Sequence, residues 1–402
     1  MSTGRGVYAS FDRVPAPKGA AVHIQAFAQA LAQSFGPLDL VTLAAPPAGE
    51  APPAGVGPAR ELWPGVTQHP IHVHGSDAIA RALSFRAFLG DWWGARRARF
   101  AHVRSIFEGY PLARRKGQAC EKLIYEVNGL PSIELKYHHP GVADDTELTR
   151  KLLAQEQACL DAADLLVTPS AVTAAHLRAA RGVDAKKLRV IPNGVDLEVF
   201  PHRPPPPRTG ELRVLYSGTL AAWQGARVAV EALALLRRDV PARLTLVGHA
   251  GTRQRKNVLE RVHELKLAAF VELREPVAQA DLAALHHEHD AALAPLMPND
   301  RNLVQGCCPL KVLEAMAAGA PLVASEMPVV TDLARPGEHF LAAKPGNTKQ
   351  IKDALLRLHA DAALAARLSS AARAHVAANF TWRRAQESLV EAYREALGLG
   401  PG

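Results

Sequence analysis

Residues 294–325, APLMPNDRNLVQGCCPLKVLEAMAAGAPLVAS, carry the clearest indication of fold class in the chain. The segment follows an apolar strand, crosses a short predicted helix over 310–318, and enters a second apolar strand, PLVAS. A crossover of this kind joins parallel strands, and its strand-to-helix loop lies at the carboxyl ends of the strands, where open parallel sheets bind ligands. The segment therefore predicts an α/β fold with a ligand site on this loop.

The same loop carries groups that suit a phosphorylated ligand. Pro309 fits a helix start, and Lys311 and Glu314 follow within the first turns. Free amides with Lys311 or Arg301 can hold a diphosphate without a metal, and a carboxylate accepts hydrogen bonds from two neighbouring ribose hydroxyls. From residue chemistry alone an alternative stays open, in which Glu314 only complements the helix dipole and Lys311 is a solvated surface charge.

Alternating strands and helices fill both halves of the chain, which has 402 residues and is long enough for two hydrophobic cores. The pattern stops at HRPPPPRTG and resumes at ELRVLYSG. We predict two Rossmann-like domains, residues 1–205 and 206–380, whose parallel sheets face a central cleft, with a linker at Pro204–Pro207. A last helix within residues 381–402 is expected to pack back on the first domain. Strands of the first half are expected at VYASF, LDLVTLA, IHVH, VRSIF and LIYEV.

Two further strand-to-helix loops contain glycine where a ligand could approach the backbone. The first is FDRVPAPKGAAVHIQAF, in which Gly19 precedes a helix whose free amides point back at the loop. The second is YSGTLAAWQGARVAV, in which Gly218 and Gly225 bracket a short stretch before a helix. Neither loop has the GxGxxG fingerprint, and a tight turn without a ligand remains the alternative for each.

Composition limits the partners of the chain. Lys and Arg exceed Asp and Glu by eight residues, which suits nucleotide phosphates or an acidic membrane face. Aromatic residues make up only 5% of the chain and no base-reading motif is present, so nucleic acid is not expected. No long apolar run and no secretory leader is found, so a cytoplasmic protein is expected. Trp92, Trp93 and the following ARRARF would allow peripheral contact with the inner membrane face, although we favour a packed helix.

No metal site is predicted. The segment His286–Asp290, HHEHD, has suitable ligand types, but consecutive helical positions point in different directions. A solvated helix end, where the dipole favours histidine, is the preferred interpretation. The four cysteines show no CxxC spacing and are expected to be reduced thiols; they are Cys120, Cys159, Cys307 and Cys308.

Three segments together resemble the family 4 retaining glycosyltransferases of bacteria: PLKVLEAMAAGAPLVAS, VIPNGVDLEVF and LYSGTLAAWQG. The likeness covers nearly the whole chain. It implies a GT-B fold, in which two Rossmann-like domains close over a nucleotide-sugar. It also implies that Glu314 is the second glutamate of that family's Glu-x7-Glu pattern, the residue expected to hold the ribose hydroxyls.

The chain departs from this family pattern at three donor-site positions. Gly306 stands where the first glutamate would contact the donor hexose. Thr219 and Gln224 stand where the family's usual Arg and Lys would bind the diphosphate. The segment RNLVQGCCPLK supplies two other cations, Arg301 and Lys311. We expect these two residues to replace the missing diphosphate cations, so the chain would represent a subgroup variant of the family.

In the first half, YEVNGLPSIELKYHHP resembles a strand end of the family where a histidine near the donor sugar often stands. The residue here is Asn128, which can form hydrogen bonds but cannot titrate. Glu126, Glu134, Lys136 and His138 lie on the same stretch, and surface or structural roles explain them as well as contact with an acceptor.

The resemblance implies transfer of a sugar from a nucleoside diphosphate sugar to an acceptor hydroxyl, with retained anomeric configuration and without cofactor or metal. The product would be a polysaccharide, a glycolipid or a small-metabolite glycoside. Candidate catalytic residues are Lys311, Arg301 and Asn128; candidate donor-binding residues are Glu314, Gly19, Gly218, Thr219, Gln224, Cys308, Pro309 and Leu310. Stabilisation of the leaving diphosphate would carry the catalysis, and the diphosphate could accept the proton of the acceptor. A nucleotide-sugar epimerase or hydrolase, and a non-catalytic nucleotide-sugar-binding relic, stay open as alternatives.

Overall fold

The computed structural model describes residues 4–45, 53–205 and 210–400. The described chain forms two compact units. The first unit runs to Ile191 and resumes at Ala385, and the second runs from Pro192 to Arg384.

The boundary between the units precedes the predicted boundary at 205 and 206. Residues just after Ile191 pack within the second unit, because the Asn193 Nδ2 donates to the Cys308 carbonyl oxygen at 2.9 Å. Val195 also forms a parallel bridge with Thr381. The second half of the predicted linker, Pro206–Pro207, lies outside the described residues.

Within the described residues, the first unit contains a nine-stranded sheet that is mainly parallel. Its strands are β1 Gly6–Arg13, β2 Leu38–Leu43, β3 Gly55–Val56, β4 Arg60–Trp63, β5 Val66–His72, β6 Ala98–Val103, β7 Cys120–Glu126, β8 Leu165–Thr168 and β9 Leu188–Val190. They follow the order β3-β5-β2-β1-β6-β7-β8-β9, with β4 paired to β5. The short strands β3 and β4 run antiparallel to β5 and extend one edge of a sheet that is otherwise parallel.

The helices of the first unit pack against this sheet. They are α1 Gly19–Phe35, α2 Ala78–Trp93, α3 Ile106–Ala113, α4 Lys116–Ala119, α5 Pro131–His138, α6 Thr146–Ala162 and α7 Ala171–Arg181. Trp92 and Trp93 are buried in the core of the unit, and the Trp93 indole donates to the Ala119 carbonyl oxygen at 3.2 Å. The two tryptophans thus have the packed arrangement that the sequence analysis favoured.

The strand predicted at VRSIF is wrong except at Val103, because β6 spans Ala98–Val103 and lies mostly before that segment. Strand β6 ends at Val103 and α3 begins at Ile106, because Ser105 caps this helix. The Ser105 Oγ accepts from the Phe107 amide at 3.1 Å, and the Glu108 carboxylate accepts from the Ser105 amide at 2.8 Å. This reciprocal capping box ends the strand, although the apolar residues that follow it indicate a strand by composition.

Within the described residues, the second unit contains a six-stranded sheet in which every neighbouring pair is parallel. Its strands are β10 Leu212–Ser217, β11 Ala242–Val247, β12 Val271–Arg274, β13 Ala291–Ala294, β14 Leu322–Ser325 and β15 Leu341–Ala343. They follow the order β12-β11-β10-β13-β14-β15. Together with the first sheet, this arrangement confirms the predicted α/β fold class.

The helices of the second unit are α8 Ala226–Leu236, α9 Thr252–Glu264, α10 Gln279–Glu288, α11 Leu310–Ala318, α12 Pro328–Thr331, α13 Thr348–Ala360 and α14 Ala362–Asn379. The helix α11 has the bounds predicted from the sequence. The last helix, α15 Trp382–Ala396, begins in the second unit, and its residues from Ala385 onward belong to the first. Among the described residues, no helix combines the length and the apolar character needed to cross a membrane.

Both sheets have a point at which the strand order reverses. In the first sheet the chain proceeds outward from β1 to β2 on one side, and β6 begins the other side. In the second sheet the corresponding pair is β10 and β13. Ligands of open parallel sheets bind beyond the carboxyl ends of the strands at such switch points. The loops after β1, β6, β10 and β13 are therefore where functional side chains are expected.

Candidate functional site

The site of the second unit lies at the carboxyl ends of β10 and β13. The loop after β10 begins with Gly218, whose φ is +133°, and a Cβ at this position would lie 2.7 Å from the Lys311 Nζ. Gly248, at the end of β11, packs on the same turn, since a Cβ there would lie 2.0 Å from the Gly218 carbonyl oxygen. Glycine at 218 is required both by its backbone conformation and by the close approach of Lys311.

Lys311 is the second residue of α11, and its side chain is buried, with only 8% of the residue exposed. Its Nζ lies 4.2 Å from the centre of the Tyr216 ring and has no hydrogen-bond partner among the described residues. Burial lowers the pKa of this amino group to about 7, although the nearby Glu314 opposes the shift. The alternative in which Lys311 is a solvated surface charge is therefore wrong.

Glu314 lies one turn further along α11 and is 9% exposed. Burial raises the pKa of its carboxyl group to about 7, and the charge of Lys311 only partly offsets this effect. Because the Lys311 Nζ has no partner in the described chain, the two groups do not compensate each other by a direct ion pair. The helix thus presents a buried amine and a buried carboxyl group whose charged forms are both disfavoured in the free protein.

Gln224 adds a third polar group on this side of the sheet. Its Oε1 is buried without a hydrogen-bond partner in the described part of the chain, and it lies 3.9 Å from the position of a Cβ on Gly218. An unsatisfied buried acceptor and the unsatisfied Lys311 Nζ therefore both lie beside Gly218. Buried polar groups of native proteins are normally satisfied, so this pair suggests a ligand that offers partners to both.

Arg301 is held at the start of the turn that precedes α11. Its guanidinium lies 5.3 Å from the centre of the Trp223 ring, and its Nη1 donates to the Asn302 Oδ1 at 3.2 Å. Asn302 is fully buried and anchors the turn by donating to the Trp223 carbonyl oxygen at 3.0 Å. Gly306 closes the turn with a φ of +81°, so the position where the resemblance expects a glutamate has a left-handed backbone that favours glycine.

The remaining donor-site candidates contribute backbone rather than reactive side chains. The Thr219 side chain is exposed, and its carbonyl oxygen accepts from the Tyr216 hydroxyl at 2.7 Å. Cys308 is buried, and burial raises the pKa of its thiol to about 12, so it is not a nucleophile at neutral pH. Pro309 is buried immediately before α11, and Leu310 is the half-buried first residue of that helix.

The first unit has a different polar cluster at its switch point, centred on the buried Glu126 at the end of β7. The Glu126 Oε2 accepts from the Tyr8 hydroxyl at 2.9 Å and from the His102 Nε2 at 2.8 Å. The Glu126 Oε1 accepts from the Asn128 Nδ2 at 2.5 Å and lies 2.5 Å from the His23 Nε2. We call Glu126 with these four partners the Glu126 cluster.

Charged groups extend the Glu126 cluster toward the loop after β1. The buried Arg104, directly after β6, lies 3.4 Å from Glu126 and 2.9 Å from the carboxylate of Asp12. Lys18 contacts the same Asp12 at 2.6 Å. Burial alone would raise the pKa of Glu126, but His23 and Arg104 hold it well below its usual range. Glu126 is therefore a carboxylate with compensated charge.

Of the two sequence-predicted residues of the first unit, Asn128 belongs to this cluster and Gly19 follows Lys18 at the start of α1. Asn128 is half-buried and bonded to Glu126. Gly19 is the exposed first residue of α1, and its φ is not positive. The side chain of the preceding Lys18 does not cap the first amides of α1. The sequence analysis did not single out Tyr8, His102 or Arg104, although a histidine inside the apolar strand RFAHV was a usable signal.

The segment HHEHD is not a solvated helix end, contrary to the prediction. His286 is only 2% exposed, and burial lowers its pKa to about 3. The His289 Nε2 lies 2.8 Å from the Thr245 hydroxyl, and Asp290 accepts from the Arg213 amide at 2.8 Å. These residues pack the end of α10 against the sheet. Across residues 4–45, 53–205 and 210–400, no group of three or more His, Cys, Asp or Glu is arranged to hold a metal.

Comparisons with known proteins cover both units. Residues 17–199 match the model of glycosyltransferase family 4, and residues 211–361 match the model of glycosyl transferases group 1. Glycogen synthase of Mycobacterium tuberculosis is 28% identical over 249 residues, which are 62% of this chain. The match spans 58% of the length of that relative.

Solved structures show the same fold over nearly the whole chain. Sucrose-phosphate synthase from Thermosynechococcus elongatus superposes with a TM-score of 0.80 and 20% identity, covering 98% of this chain and 99% of that one. Anabaena HepE in complex with UDP-glucose superposes with a TM-score of 0.70 and 15% identity, covering 97% and 99%. The structural likeness confirms the predicted GT-B fold, and each of the two matching domain models describes a glycosyltransferase domain.

Proposed function

We propose that the chain transfers a sugar from a nucleoside diphosphate sugar to an acceptor hydroxyl, with retained anomeric configuration and without a metal. The observation that carries this proposal is the buried Lys311 at the start of α11, whose Nζ has no partner in the described chain. A buried amino group in this position is stabilised as a cation only when an anion binds beside it. The diphosphate of a nucleotide-sugar is such an anion.

The other groups of the second unit fit the rest of the donor. The first amides of α11 have no side-chain cap, so together with Lys311 they suit a diphosphate at this helix end. Glu314 suits two ribose hydroxyls, which donate to a carboxylate. Because Gly218 carries no side chain, the Lys311 Nζ can lie directly against the loop after β10.

The chemistry needs no protein nucleophile under this proposal. The bond between the anomeric carbon and the diphosphate oxygen breaks, and the acceptor oxygen bonds to the same carbon. The acceptor hydroxyl loses its proton to the leaving diphosphate. Lys311 stabilises the negative charge that develops on the leaving group, which is the largest demand of an oxocarbenium-like transition state. Arg301 would share this role.

The comparisons support the same substrate class. A glycogen synthase is among the relatives in sequence, and a structural neighbour was solved in complex with UDP-glucose. The departures at Gly306, Thr219 and Gln224 remove two charges that the family pattern would place near the phosphates and one near the hexose. In our proposal Lys311, which extends from α11 toward Gly218, supplies the positive charge for the diphosphate.

Thermal stabilisation by UDP, GDP, ADP and dTDP, with EDTA present, tests the donor site. We expect one of the four nucleotides to raise the melting temperature of the wild type selectively. Glu314→Gln and Lys311→Met should each lose most of the shift. Glu326→Gln and Lys344→Met are matched controls, since both residues are exposed in the same unit, and they should keep it. No shift with any nucleotide would contradict the proposal.

Product analysis separates transfer from the alternatives. The nucleotide-sugar chosen by the binding test is incubated with and without a panel of hydroxyl acceptors. A new glycoside that forms only with acceptor supports the proposal. Free sugar formed equally in both mixtures indicates a hydrolase, and binding without turnover indicates a nucleotide-sugar-binding relic.

A further inference from the structure

The cysteines, all of which lie in the described part of the chain, differ in their access to solvent. Cys120, Cys159 and Cys308 are buried, whereas Cys307 is partly exposed. Burial raises the pKa of the Cys120 and Cys308 thiols to about 12, and it also raises the pKa of the Cys159 thiol. These three groups are not thiolates at neutral pH. Cys307 is therefore the cysteine at which a reagent from solvent is expected to react.

The Cys307 thiol lies among the polar side chains of the site in the second unit. It donates to the Asn302 Oδ1 at 3.9 Å, a distance that suits a sulfur donor. The same oxygen accepts from the Arg301 Nη1 at 3.2 Å. The Asn302 amide is held in this orientation because its Nδ2 donates to the Met297 and Trp223 carbonyl oxygens, at 2.9 Å and 3.0 Å. One buried oxygen atom therefore holds both the Cys307 thiol and the Arg301 guanidinium.

Lys311 places an amine within electrostatic range of this thiol. Burial lowers the pKa of the Lys311 amino group to about 7, and the charges of Glu314 and of a Cys307 thiolate oppose the shift. A neighbouring cation favours the thiolate form of a cysteine, and the thiolate is the nucleophile in thiol–disulfide exchange. The pair formed by Cys307 and Lys311 thus suits a reagent that brings a disulfide to the sulfur and a negative charge to the amine.

We propose that Cys307 is a modification site that forms a mixed disulfide with a small thiol carrying carboxylate groups, and that this adduct competes with the diphosphate for Lys311. The Cys307 thiolate attacks one sulfur of the small-molecule disulfide and forms a new S–S bond. The original S–S bond breaks, and the other half leaves as a thiolate that takes up a proton. Cys307 is oxidised while the small-molecule disulfide is reduced, and an excess of the free thiol reverses the exchange.

Competition for Lys311 follows from the position of the thiol. A carboxylate on the attached molecule can pair with the buried Lys311 Nζ, which has no hydrogen-bond partner in the described chain. The adduct also lacks the S–H group, so the Asn302 oxygen that holds Arg301 loses one of its two donors. This competition rests on the proposed function, in which Lys311 binds the diphosphate, whereas formation of the disulfide does not.

Mass spectrometry after treatment with glutathione disulfide tests the modification site. We expect a single adduct per chain, located on Cys307 by peptide mapping and removed by dithiothreitol. Cys307→Ser should form no adduct, and Cys308→Ser is the matched control that should still form it. Peptide mapping of the wild type identifies the modified cysteine even where a variant is unstable. An unmodified wild type, or an adduct on a different cysteine, would overturn the proposal.

Two reagents of opposite charge test the preference for a carboxylate-bearing thiol. Glutathione disulfide carries carboxylates, whereas cystamine carries amines. The ratio of the two rate constants of Cys307 labelling should favour glutathione disulfide in the wild type and fall by about 3-fold to 10-fold in Lys311→Met. Lys344→Met removes an exposed charge of the same unit and should keep the wild-type ratio. An equal ratio in the wild type and Lys311→Met would overturn the role of Lys311 in selecting the reagent.

Nucleotide and adduct should exclude each other. The nucleoside diphosphate selected by thermal stabilisation should slow the labelling of Cys307 by about 10-fold when its concentration is about ten times its Kd. The labelled wild type should lose the thermal shift with nucleotide and regain it after reduction, while Cys307→Ser keeps it throughout. A full thermal shift in labelled protein would overturn the competition. An untreated wild type without any shift contradicts the proposed function and the competition, and the mass measurement then decides the modification site by itself.

Discussion

The two units treat a buried charge in opposite ways. Glu126 in the first unit is a buried carboxylate in contact with a histidine pair, a tyrosine, an amide and an arginine, and its pKa lies well below the usual range. Lys311 in the second unit is a buried amine whose Nζ has no partner in the described chain, and its pKa is lowered to about 7. The first charge is compensated by the fold, whereas in the proposed function the second is compensated by a bound ligand.

A buried charge with partners in the fold holds its neighbours in place, whereas a buried charge without partners is available to bind a ligand. A compensated buried charge stabilises one arrangement of its neighbours. Its removal leaves those buried polar neighbours without their partner, which is unfavourable. An uncompensated buried charge lowers the stability of the free protein and gains most from an anionic ligand. Substitutions of Glu126 and of Lys311 should therefore change the stability of the free protein in opposite senses.

The largest effect is expected for the compensated charge. Glu126→Ala leaves Tyr8, His102 and Arg104 without their shared acceptor, so the free energy of unfolding should fall by about 3–5 kcal/mol. Urea unfolding of the wild type and Glu126→Ala measures this loss of stability. Glu121→Ala, at an exposed position of the same strand, is the control and should change stability by less than about 0.5 kcal/mol. A loss of stability no larger than that of the control would show that Glu126 does not stabilise the first unit.

The uncompensated charge should show the reverse sign. Lys311→Met removes a buried amine while filling a similar volume, so the nucleotide-free protein should become more stable by about 1–4 kcal/mol. The same variant should lose the stabilisation by nucleotide. Urea unfolding with and without nucleotide gives both numbers, and Lys344→Met is the control. A destabilised Lys311→Met would indicate that the amine already has a favourable environment in the free protein.

The pH dependence of the free energy of unfolding tests the lowered pKa of Lys311. The pKa of Lys311 is about 7 in the folded chain and near 10.5 when unfolded, so between these values unfolding takes up a proton. The free energy of unfolding of the wild type, relative to Lys311→Met, should therefore rise with pH across this window, by at most about 1.4 kcal/mol per pH unit. A pH-independent difference between the two proteins would contradict the depressed pKa.

The raised pKa of Glu314 predicts the opposite trend in the free energy of unfolding at lower pH. Its pKa is raised from 4.5 to about 7 in the folded chain, so the folded chain holds the proton that the unfolded chain has lost. The free energy of unfolding of the wild type, relative to Glu314→Gln, should fall as the pH rises from about 4.5 to 7. Urea titrations at several pH values measure this difference, and a rising difference would contradict the assignment.

The smallest effect is expected at the far end of the Glu126 cluster. Tyr393→Phe removes the hydroxyl that donates to His102 and leaves the ring in place, so the free energy of unfolding should fall by about 1 kcal/mol. Tyr137→Phe, on the partly exposed α5, is a comparison at a tyrosine outside the core. A Tyr393→Phe protein as stable as the wild type would show that the Tyr393 hydroxyl adds nothing to the compensation of Glu126.

The sequence predicted most of the second unit because its signals are local. The apolar strands and the proline before α11 lie within one stretch, and the observed helix has the predicted bounds. The Glu126 cluster was not predictable in this way, since Tyr8 is 118 residues from Glu126 and His102 is 291 residues from Tyr393. Composition also could not show that Lys311 and His286 are buried, because burial of a polar residue depends on tertiary packing.

Calorimetric titration of the wild type and Lys311→Met with the selected nucleoside diphosphate tests most directly whether Lys311 receives the anion. At pH 8 the free Lys311 is mainly neutral, because its pKa is about 7, and an adjacent diphosphate favours the cation. Titrations in buffers of different ionisation enthalpy should show uptake of close to one proton per bound nucleotide in the wild type, and weaker binding without this uptake in Lys311→Met. Equal affinity and equal proton uptake in both proteins would contradict the assignment of Lys311 as the partner of the diphosphate.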